Sequence, residues 1–324
     1  MSAADTVLIL THTADHYVIE RVAGALEERG ARTVRFDTDL FPLEARLSAR
    51  LDAHGELDLL RSAAAELDTR RVRAVWARKL WAPRLPEGLE SRIREGCVRE
   101  SAAALRGWLS ALEGVRWVNP LGAGAEAENK LRQLRLARAL GLRIPRTLVT
   151  NDPHAVRAFR ADAGPLVAKM LTPLSVSMGK AELFMHTSEL RDEDLDDLDG
   201  LRASPMVFQE KIEKRRELRV ACVGARAFAG AIDASRSQGG QTDWRGARPD
   251  EARWEPAELA PGIARALREL LERLGLVYGA ADLIETPTGE LFFLELNPSG
   301  EWGMLERDLD LPIAAALAEE LLRP

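Results

Sequence analysis

Two carboxylates and an amide lie close together in the C-terminal part of the sequence, at Asp282, Glu295 and Asn297. Glu295 and Asn297 are two residues apart in an apolar run, so in a strand they share one face, while Leu294 and Leu296 point to the opposite face and into a core. Carboxylate and amide oxygens are the ligands that hard cations such as Mg²⁺ prefer. These residues therefore predict a magnesium site of the kind that supports phosphoryl transfer.

The register of the predicted hairpin decides how near the two carboxylates lie. If residues 286–289 form its loop, Asp282 lies opposite Phe293. Asp282 and Glu295 are then diagonal neighbours about 7–8 Å apart at the backbone. The alternative is a set of polar residues on an exposed edge strand, which the apolar residues on both strands disfavour.

Two cationic residues predict that the same site handles phosphate. Lys169 ends the apolar run 166–168, and a lysine on a buried strand is costly unless an anion such as phosphate pairs with it. The alternative is a strand-end lysine whose ammonium reaches solvent. Arg219 shares a strand face with Glu217 and can bind a phosphoryl group through two parallel hydrogen bonds. The alternative there is a surface ion pair with Glu217.

Three successive α/β segments must position these residues. The first, residues 1–120, opens with strand, helix and strand, which is the parallel βαβ unit of an open α/β sheet. Its predicted elements are strands at 6–11, 33–37 and 72–80, a hairpin at 47–51 and 57–59, and helices at 18–26 and 90–113.

The rest of the sequence divides into a central α+β segment, 121–205, and a C-terminal α+β segment, 206–324. The central segment is predicted to contain a helix at 126–140 and strands at 142–149 and 166–170. The C-terminal segment is predicted to contain a hairpin about Gly224-Ala225, the hairpin that carries Asp282 and Glu295, and helices at 261–274 and 312–322.

Composition excludes several classes of protein. The 324 residues carry a formal net charge of −6 and a pI near 5.6, which gives no reason to expect nucleic acid as a partner. No apolar run reaches the roughly 18 residues of a membrane span and no secretory signal precedes the first strand, so we expect a cytoplasmic protein without a membrane partner. Cys97 and Cys222 lie in apolar stretches as core residues, and the five histidines lack metal-ligand spacing. No glycine-rich dinucleotide fingerprint follows the first strand, which argues against a dehydrogenase.

Asp282 followed by Glu295-x-Asn297-Pro298 resembles the magnesium site of the ATP-grasp superfamily, and other motifs follow in that superfamily's order over essentially the whole chain. The resemblance implies an α/β protein with the ATP-grasp fold, in which an N-terminal open α/β (pre-ATP-grasp) domain precedes a central and a C-terminal α+β domain. It also implies that the enzyme uses ATP and Mg²⁺.

The same resemblance assigns roles to residues of the nucleotide site. It implies that Lys130 and Lys169 hold the nucleotide phosphates and that Lys169 and Arg219 are catalytic. It further implies nucleotide contacts by Glu217, by Asn297, and by the hinge over the adenine, Gln209, Glu210, Lys211 and Ile212. The loop 172–180 has the small residues of a phosphate-covering flap, but it has one glycine where many ATP-grasp flaps have more.

Within the superfamily the chain resembles the microviridin and graspetide synthetases. The resemblance rests on segments spread along the chain, at 36–42, 75–83, 117–120, 208–212, 242–245 and 297–302. It implies that ATP phosphorylates Asp or Glu side chains of a ribosomally made precursor peptide. A Thr or Ser hydroxyl, or a Lys amine, then displaces phosphate and closes an ω-ester or ω-amide ring.

The implied partner is a precursor peptide with a leader and an acidic core, and related ligases are commonly homodimers. Asp243 and Trp244 lie in the region that helps dock the leader in this family. Arg78 lies between Trp76 and Trp81, where it binds the acidic core or packs against tryptophan. A basic group could attract the same peptide or form a solvated strand edge; its members are Lys211, Lys214, Arg215 and Arg216.

Two rival interpretations differ from the macrocyclase in testable ways. Another ATP-grasp ligase, which adds amino acids to a protein tail or joins small molecules, would share the nucleotide site but need no leader peptide. A regulatory nucleotide-binding module without turnover belongs to a different class. The complete set of Asp282, Glu295, Asn297 and Lys169 argues against the module, because binding alone does not need it.

Overall fold

A computed structural model describes residues 5–63, 65–112, 114–172, 187–233 and 253–324. Within these residues the chain forms four β-sheets and eight α-helices. The helices are α1 Tyr17–Glu27, α2 Ser91–Ser110, α3 Leu121–Ala127, α4 Lys130–Ala139, α5 Pro153–Ala163, α6 Pro261–Arg273, α7 Gly303–Leu309 and α8 Ile313–Leu322. No helix among the described residues is long and apolar enough to cross a membrane.

The strands fall into sheets whose order differs from their order in the chain. Those of the N-terminal part are β1 Thr6–Thr11, β2 Arg32–Asp37, β3 Arg46–Asp52, β4 Gly55–Arg61, β5 Glu66–Asp68, β6 Val72–Ala77 and β7 Arg116–Val118. Those of the central part are β8 Thr147–Thr150, β9 Leu166–Lys169, β10 Ser188–Leu190 and β11 Met206–Glu210. Those of the C-terminal part are β12 Arg216–Val223, β13 Arg226–Asp233, β14 Glu255–Pro256, β15 Tyr278–Glu285 and β16 Leu291–Asn297.

The first sheet is parallel, with strand order β2-β1-β6-β7. Strand β1 is buried along its whole length because helices cover both faces of the sheet. Leu8, Leu10 and Trp108 of α2 pack on one face. On the other face Val7 packs in a core that includes Ile313 of α8. The predicted βαβ unit is confirmed, and the predicted hairpin forms β3 and β4 of a separate antiparallel sheet with β5.

The central sheet is antiparallel in the order β10-β9-β11-β8. Strand β11 lies between β9 and β8, although the predicted boundary at 205/206 assigned it to the C-terminal segment. Residues 211–215 connect β11 to β12, and the domain boundary at 205/206 stays a prediction. The central sheet and the C-terminal sheet therefore meet across a five-residue connection.

Two elements of the central segment are shorter than predicted. The helix predicted at 126–140 is two helices, α3 and α4, because Asn129 caps α4: its side chain accepts a hydrogen bond from the Arg132 amide at 3.0 Å. The strand predicted at 142–149 is β8, which begins only at Thr147. Pro145 precedes it and has no backbone N–H to donate to a sheet.

The C-terminal sheet is antiparallel in the order β14-β13-β12-β15-β16. The predicted turn joins β12 and β13 in two residues, and Gly224 adopts φ +54°, which favours glycine. Helix α6 covers one face through Leu267, Leu270 and Leu271, which pack on Leu218 and neighbouring apolar residues. The residues of the predicted site, Arg219, Asp282 and Glu295, lie on the other face of this sheet.

Candidate functional site

One row of charged side chains crosses three neighbouring strands of the C-terminal sheet. Arg219 on β12 lies directly opposite Asp282 on β15, and Asp282 lies directly opposite Glu295 on β16. Directly opposed residues of antiparallel strands have Cβ atoms about 4.5–5.5 Å apart. The structure therefore brings the two carboxylates closer together than the diagonal arrangement expected from the sequence.

A β-bulge in β16 explains the difference from the predicted register. Leu283 pairs with Phe293 whereas Asp282 pairs with Glu295, so Leu294 is the extra residue. Phe293 is consequently buried beside Leu283, and the prediction that Leu294 points into the core is wrong. The Phe293 side chain occupies the core position beside Leu283, and this placement sets the register of β16 against β15.

Arg219 and Asp282 form a buried ion pair, with Nη1 and Oδ1 2.6 Å apart. The Arg219 Nε also donates to the Glu301 carbonyl at 3.0 Å. Burial lowers the pKa of Arg219, but the Asp282 carboxylate together with Tyr278 and the Glu295 carboxylate outweighs this effect, and the pKa lies above its ordinary value. The alternative ion pair with Glu217 is wrong, because Glu217 pairs with Lys214.

Glu295 lies at the other end of the row, next to Lys130 at the start of α4. The Lys130 Nζ is 3.1 Å from the Glu295 Oε2 and 3.5 Å from the Met170 carbonyl, which follows β9. These contacts join the central segment to the C-terminal sheet. They border a cavity of about 140 Å³ lined by Glu128, Lys130, Gln133, Leu171, Thr172, Glu295, Leu296, Asn297 and Pro298.

The donor set of this row fits a hard divalent cation. Two carboxylates directly opposite each other repel, and each has a cationic side chain on its outer side, Arg219 for Asp282 and Lys130 for Glu295. Asn297 follows on the same strand, and its Oδ1 accepts from the Ser299 amide at 2.9 Å. No cluster of three His, Cys, Asp or Glu suited to a metal occurs among the described residues, so an amide oxygen is the third protein ligand that this set offers.

Gln133 fixes the strand between the two predicted ligands, and sequence reasoning missed it. From α4, its Nε2 donates to the Leu296 carbonyl at 2.7 Å and its Oε1 accepts from the Leu296 amide at 2.8 Å. The buried side chain thus replaces a neighbouring strand at the edge of the sheet. Because Leu296 lies between Glu295 and Asn297, its hydrogen bonds to Gln133 fix the backbone from which both of these side chains project.

The predicted hinge is tied into the central sheet by its own backbone. The Glu210 amide donates to the Arg146 carbonyl at 3.0 Å, and the Glu210 carboxylate accepts from the Arg146 amide at 2.9 Å. The Lys211 amide donates to the Pro165 carbonyl at 2.8 Å. Gln209 is buried and donates to the Thr147 hydroxyl at 2.9 Å. Ile212 is half-buried in the connection that leads to β12.

Lys169 is the last residue of β9 and lies opposite Val207 of β11. It is half-buried, which places it between the two predicted alternatives of a buried and a solvated lysine. Most of the predicted flap, 173–180, lies outside the described residues, and so do Asp243 and Trp244.

Arg78 directly follows β6 and is 1% exposed. Its guanidinium lies 2.6 Å from the Glu301 carboxylate and 3.6 Å from that of Asp15, and it also donates to the Ser299 carbonyl. The ring stacked on Trp81 is that of His12, with centroids 3.6 Å apart. Binding of the acidic core by Arg78 stays a prediction, but the Arg78 side chain is buried in the protein interior.

The predicted basic group does not form a free cationic surface. Each member has a carboxylate partner: Lys211 pairs with Glu189, Lys214 with Glu217, and both Arg215 and Arg216 with Glu285. The exposed Lys211–Glu189 pair adds little to stability, and all of these pairings leave less charge for attracting a peptide.

The buried cysteine is chemically inert. Burial raises the pKa of the Cys222 thiol to about 12, so it carries no thiolate near neutral pH. This agrees with its predicted place in the core. Cys97 is half-buried on α2.

Comparison with known proteins gives one family for the first domain. Residues 6–124 match the sequence profile described as the MvdD pre-ATP grasp domain. No match is found among curated protein sequences.

Solved structures cover the chain almost completely. The macrocyclase MdnC of Microcystis aeruginosa MRC, bound with the precursor peptide MdnA, is 35% identical with a TM-score of 0.87, over 98% of this chain and 100% of that chain. An ATP-grasp ligase of Chryseobacterium gregarium, RiPP-associated and in complex with ADP and a leader and core peptide, is 30% identical with a TM-score of 0.89, over 98% and 96%. The ATP-grasp ligase PsnB, complexed with minimal precursor, Mg and ADP, is 25% identical with a TM-score of 0.74, over 98% and 96%.

Proposed function

We propose the following activity for this chain, which belongs to the family of ATP-grasp ligases that includes the macrocyclase MdnC. It uses ATP to activate Asp or Glu side chains of a ribosomally made precursor peptide. It then closes macrocyclic ester rings with Thr or Ser hydroxyls, or amide rings with Lys amines. The chain is an ATP-dependent ligase that acts on a peptide and releases ADP and phosphate.

The observation that carries the proposal is the charged row of Arg219, Asp282 and Glu295, with Lys130 at its end. Two opposed carboxylates between two cations match what a metal-bound nucleotide phosphate requires. A site built only to pack would pair each carboxylate with a cation and would not place the carboxylates against each other.

The residues that would hold Mg²⁺ are Asp282, Glu295 and Asn297. When bound, the metal supplies positive charge that offsets the negative charge developing on a transferring phosphoryl group. Lys130 and Lys169 would hold the nucleotide phosphates from the central segment, and Glu217 would border the nucleotide from β12. The hinge 209–212 would face the adenine through backbone groups other than the amides of Glu210 and Lys211, which are already bonded.

Arg219 would act on the reacting phosphoryl group. A guanidinium has five N–H donors, and its bonds to Asp282 and Glu301 use two of them. The remaining edge can bind oxygens of the γ-phosphate while the substrate carboxylate attacks phosphorus and ADP leaves. The hydroxyl or amine of the peptide then attacks the acyl carbon and gives up its proton, and phosphate departs with the electron pair of the broken C–O bond.

The partner in this proposal is a precursor peptide with a leader and an acidic core, and the enzyme works as a cytoplasmic homodimer. Asp243 and Trp244 are the proposed leader contacts. No nucleic acid or membrane takes part. The burial of Arg78 supports an indirect role for this residue more than a direct one.

Mass spectrometry of a precursor peptide encoded beside this enzyme tests the proposal. After incubation with ATP and Mg²⁺, the peptide should lose mass in whole units of one water, and the loss should depend on ATP. An unchanged peptide, with ADP formed only when free amino acids or small molecules are added, would identify a different ATP-grasp ligase. Nucleotide binding without any ADP formation would identify a regulatory module.

A further inference from the structure

Four consecutive carbonyl groups follow the strand that carries Glu295 and Asn297, and each accepts a hydrogen bond from a different side chain. Asn119 donates to Pro298 at 2.9 Å, Arg78 donates to Ser299, Tyr278 donates to Gly300 at 2.7 Å, and Arg219 donates to Glu301 at 3.0 Å. We call residues 298–301 the clasped loop. Pro298 and Gly300 are buried, and buried carbonyl groups need hydrogen-bond partners. The four side-chain donors therefore satisfy these groups and fix the path of the loop.

Two of the four donors come from the N-terminal domain. Arg78 follows β6, and Asn119 follows β7, the neighbouring strand of the parallel sheet. Asn119 also accepts from the amides of Val277 and Tyr278 at 2.8 and 2.9 Å. The carboxyl ends of two parallel strands therefore determine where the loop beside the metal-site strands lies.

Arg78 makes the more demanding contact, because one guanidinium bonds two parts of the loop. One nitrogen reaches the Ser299 carbonyl, and the other reaches the Glu301 carboxylate at 2.6 Å. The other carboxylate oxygen of Glu301 accepts from the amides of Trp302 and Gly303 at 3.2 and 3.0 Å. A rigid planar fork can serve both acceptors at once, whereas the single ammonium of a lysine cannot.

The clasped loop in turn touches the residues of the candidate site. The Ser299 amide bonds Asn297, and the Glu301 carbonyl bonds Arg219, which holds Asp282. A Cβ at Gly300 would lie 2.8 Å from the Arg219 Nη2, 2.5 Å from the Ala280 Cβ and 3.2 Å from the Asn297 Cβ. The loop backbone thus lies close to the guanidinium, and its position sets that of Arg219.

We propose that Arg78 is a positioning residue, which holds the clasped loop so that Asn297 and Arg219 are aligned with the paired carboxylates. The inference rests on the proposed function for the meaning of that site. It gives Arg78 a part in the chemistry without any contact to the peptide. Substitution of Arg78 should lower turnover and weaken metal binding, and it should leave the affinity for the peptide unchanged.

The experiment compares Arg78→Lys with Arg84→Lys. Arg84 lies on the same connection and pairs with Asp39 at 2.9 Å, away from the clasped loop. For Arg78→Lys we expect kcat to fall about tenfold to a hundredfold, as expected for a small misplacement of reacting groups, while KM for the precursor stays within about twofold. Arg84→Lys should leave both constants within about twofold.

A second readout does not depend on turnover. Mn²⁺ binding to the ADP-loaded protein, followed by electron paramagnetic resonance, should weaken at least about threefold in Arg78→Lys and stay unchanged in Arg84→Lys. A raised KM for the precursor with unchanged kcat and Mn²⁺ affinity would overturn the inference and make Arg78 a peptide contact. Wild-type values for all three quantities would also overturn it.

If Arg78→Lys fails to fold, Glu301→Gln takes its place, because glutamine still accepts from the amides of Trp302 and Gly303 but loses the charge that Arg78 binds. Its kcat and Mn²⁺ affinity should fall in the same direction, and unchanged values would overturn the inference. Failure of the proposed function is seen separately, since wild-type enzyme would then leave the precursor at its original mass while Mn²⁺ binding still reports on Arg78.

Discussion

Two regions of this molecule contain buried carboxylates, and they treat them differently. At the carboxyl ends of the parallel strands, Asp39 is 1% exposed and accepts from the Thr13 amide at 3.0 Å, the Thr13 hydroxyl at 2.7 Å and Arg84 at 2.9 Å. On the C-terminal sheet, the buried Asp282 lies against the half-buried Glu295, with their cations on the outer sides.

The comparison shows that burial of charge does not by itself mark a site. The Asp39 carboxylate is bonded by hydrogen-bond donors of Thr13 and Arg84. Because Arg84 lies in the connection that follows β6, the charge of Asp39 stabilises that connection. The pair Asp282 and Glu295 carries a repulsion that folding alone would not select, since directly opposed like charges destabilise a sheet. An arrangement that costs stability and invites a cation is the stronger indication of function.

The largest effect is expected from the C-terminal pair. Glu295→Ala should reduce ADP formation at least about a hundredfold, because it removes a proposed metal ligand. The fold should persist, since the substitution relieves the repulsion with Asp282 and leaves Lys130 partly solvated. ADP release measured with saturating ATP and Mg²⁺, together with thermal unfolding, checks both statements. Full activity in this variant would refute the metal-site assignment.

The N-terminal carboxylate should respond in the opposite way. Asp39→Asn should lower the free energy of unfolding by about 2 kcal/mol, because an amide cannot accept from all three donors that Asp39 serves. Turnover per folded molecule should change less than about twofold. Urea unfolding and ADP release of the folded fraction measure the two quantities. A large loss of turnover with unchanged stability would mean that Asp39 belongs to the site.

The smallest effect concerns pH and the same N-terminal edge. Burial lowers the pKa of His12 below its ordinary 6.5, and the Asp15 carboxylate opposes this only in part. The unfolded chain therefore binds a proton near pH 6.5 that the folded chain does not bind until the pH is lower. The stability due to neutral His12 is complete above pH 6.5 and is lost as the pH falls through the folded-state pKa.

His12→Phe tests this linkage while keeping an aromatic ring on Trp81. Between pH 6.5 and about 5, its free energy of unfolding should fall less steeply than that of the wild type. His154→Phe is the matched control, since His154 is exposed, and it should keep the wild-type slope. Equal slopes in His12→Phe and the wild type would contradict the predicted shift.

Local pattern was enough to place the predicted metal ligands Glu295 and Asn297 on one strand face and to find most of the elements around them. The spacing of Glu295 and Asn297 fixes their common face because a strand has a period of two. It did not fix the register, because the bulge at Leu294 depends on whether Phe293 or Leu294 fills the space beside Leu283. Helix α5 was missed although Asp152-Pro153 is a strong start signal and Gly164, with φ +79°, is a suitable end.

Contacts between residues far apart in the chain could not be predicted from local sequence patterns. Gln133 holds Leu296 across 163 positions, and Arg78 holds Glu301 across 223. A glutamine inside a helix and an arginine after a strand have many partners available, and no local pattern selects one. Arg78 was singled out because tryptophans flank it, whereas its position is decided by Glu301 and Ser299.

Helix α8 has a consequence for how the protein is made. It follows all the other described elements, yet Ile313, Leu317 and Leu321 share a core with Val7 and Trp76 of the first sheet. As the chain leaves the ribosome, the parallel sheet is complete long before the helix that covers one of its faces. Helix α1 packs on the same face, but until synthesis reaches α8 the rest of that apolar face stays open to chaperones or to neighbouring nascent chains, and expression of residues 1–120 alone is expected to yield aggregates.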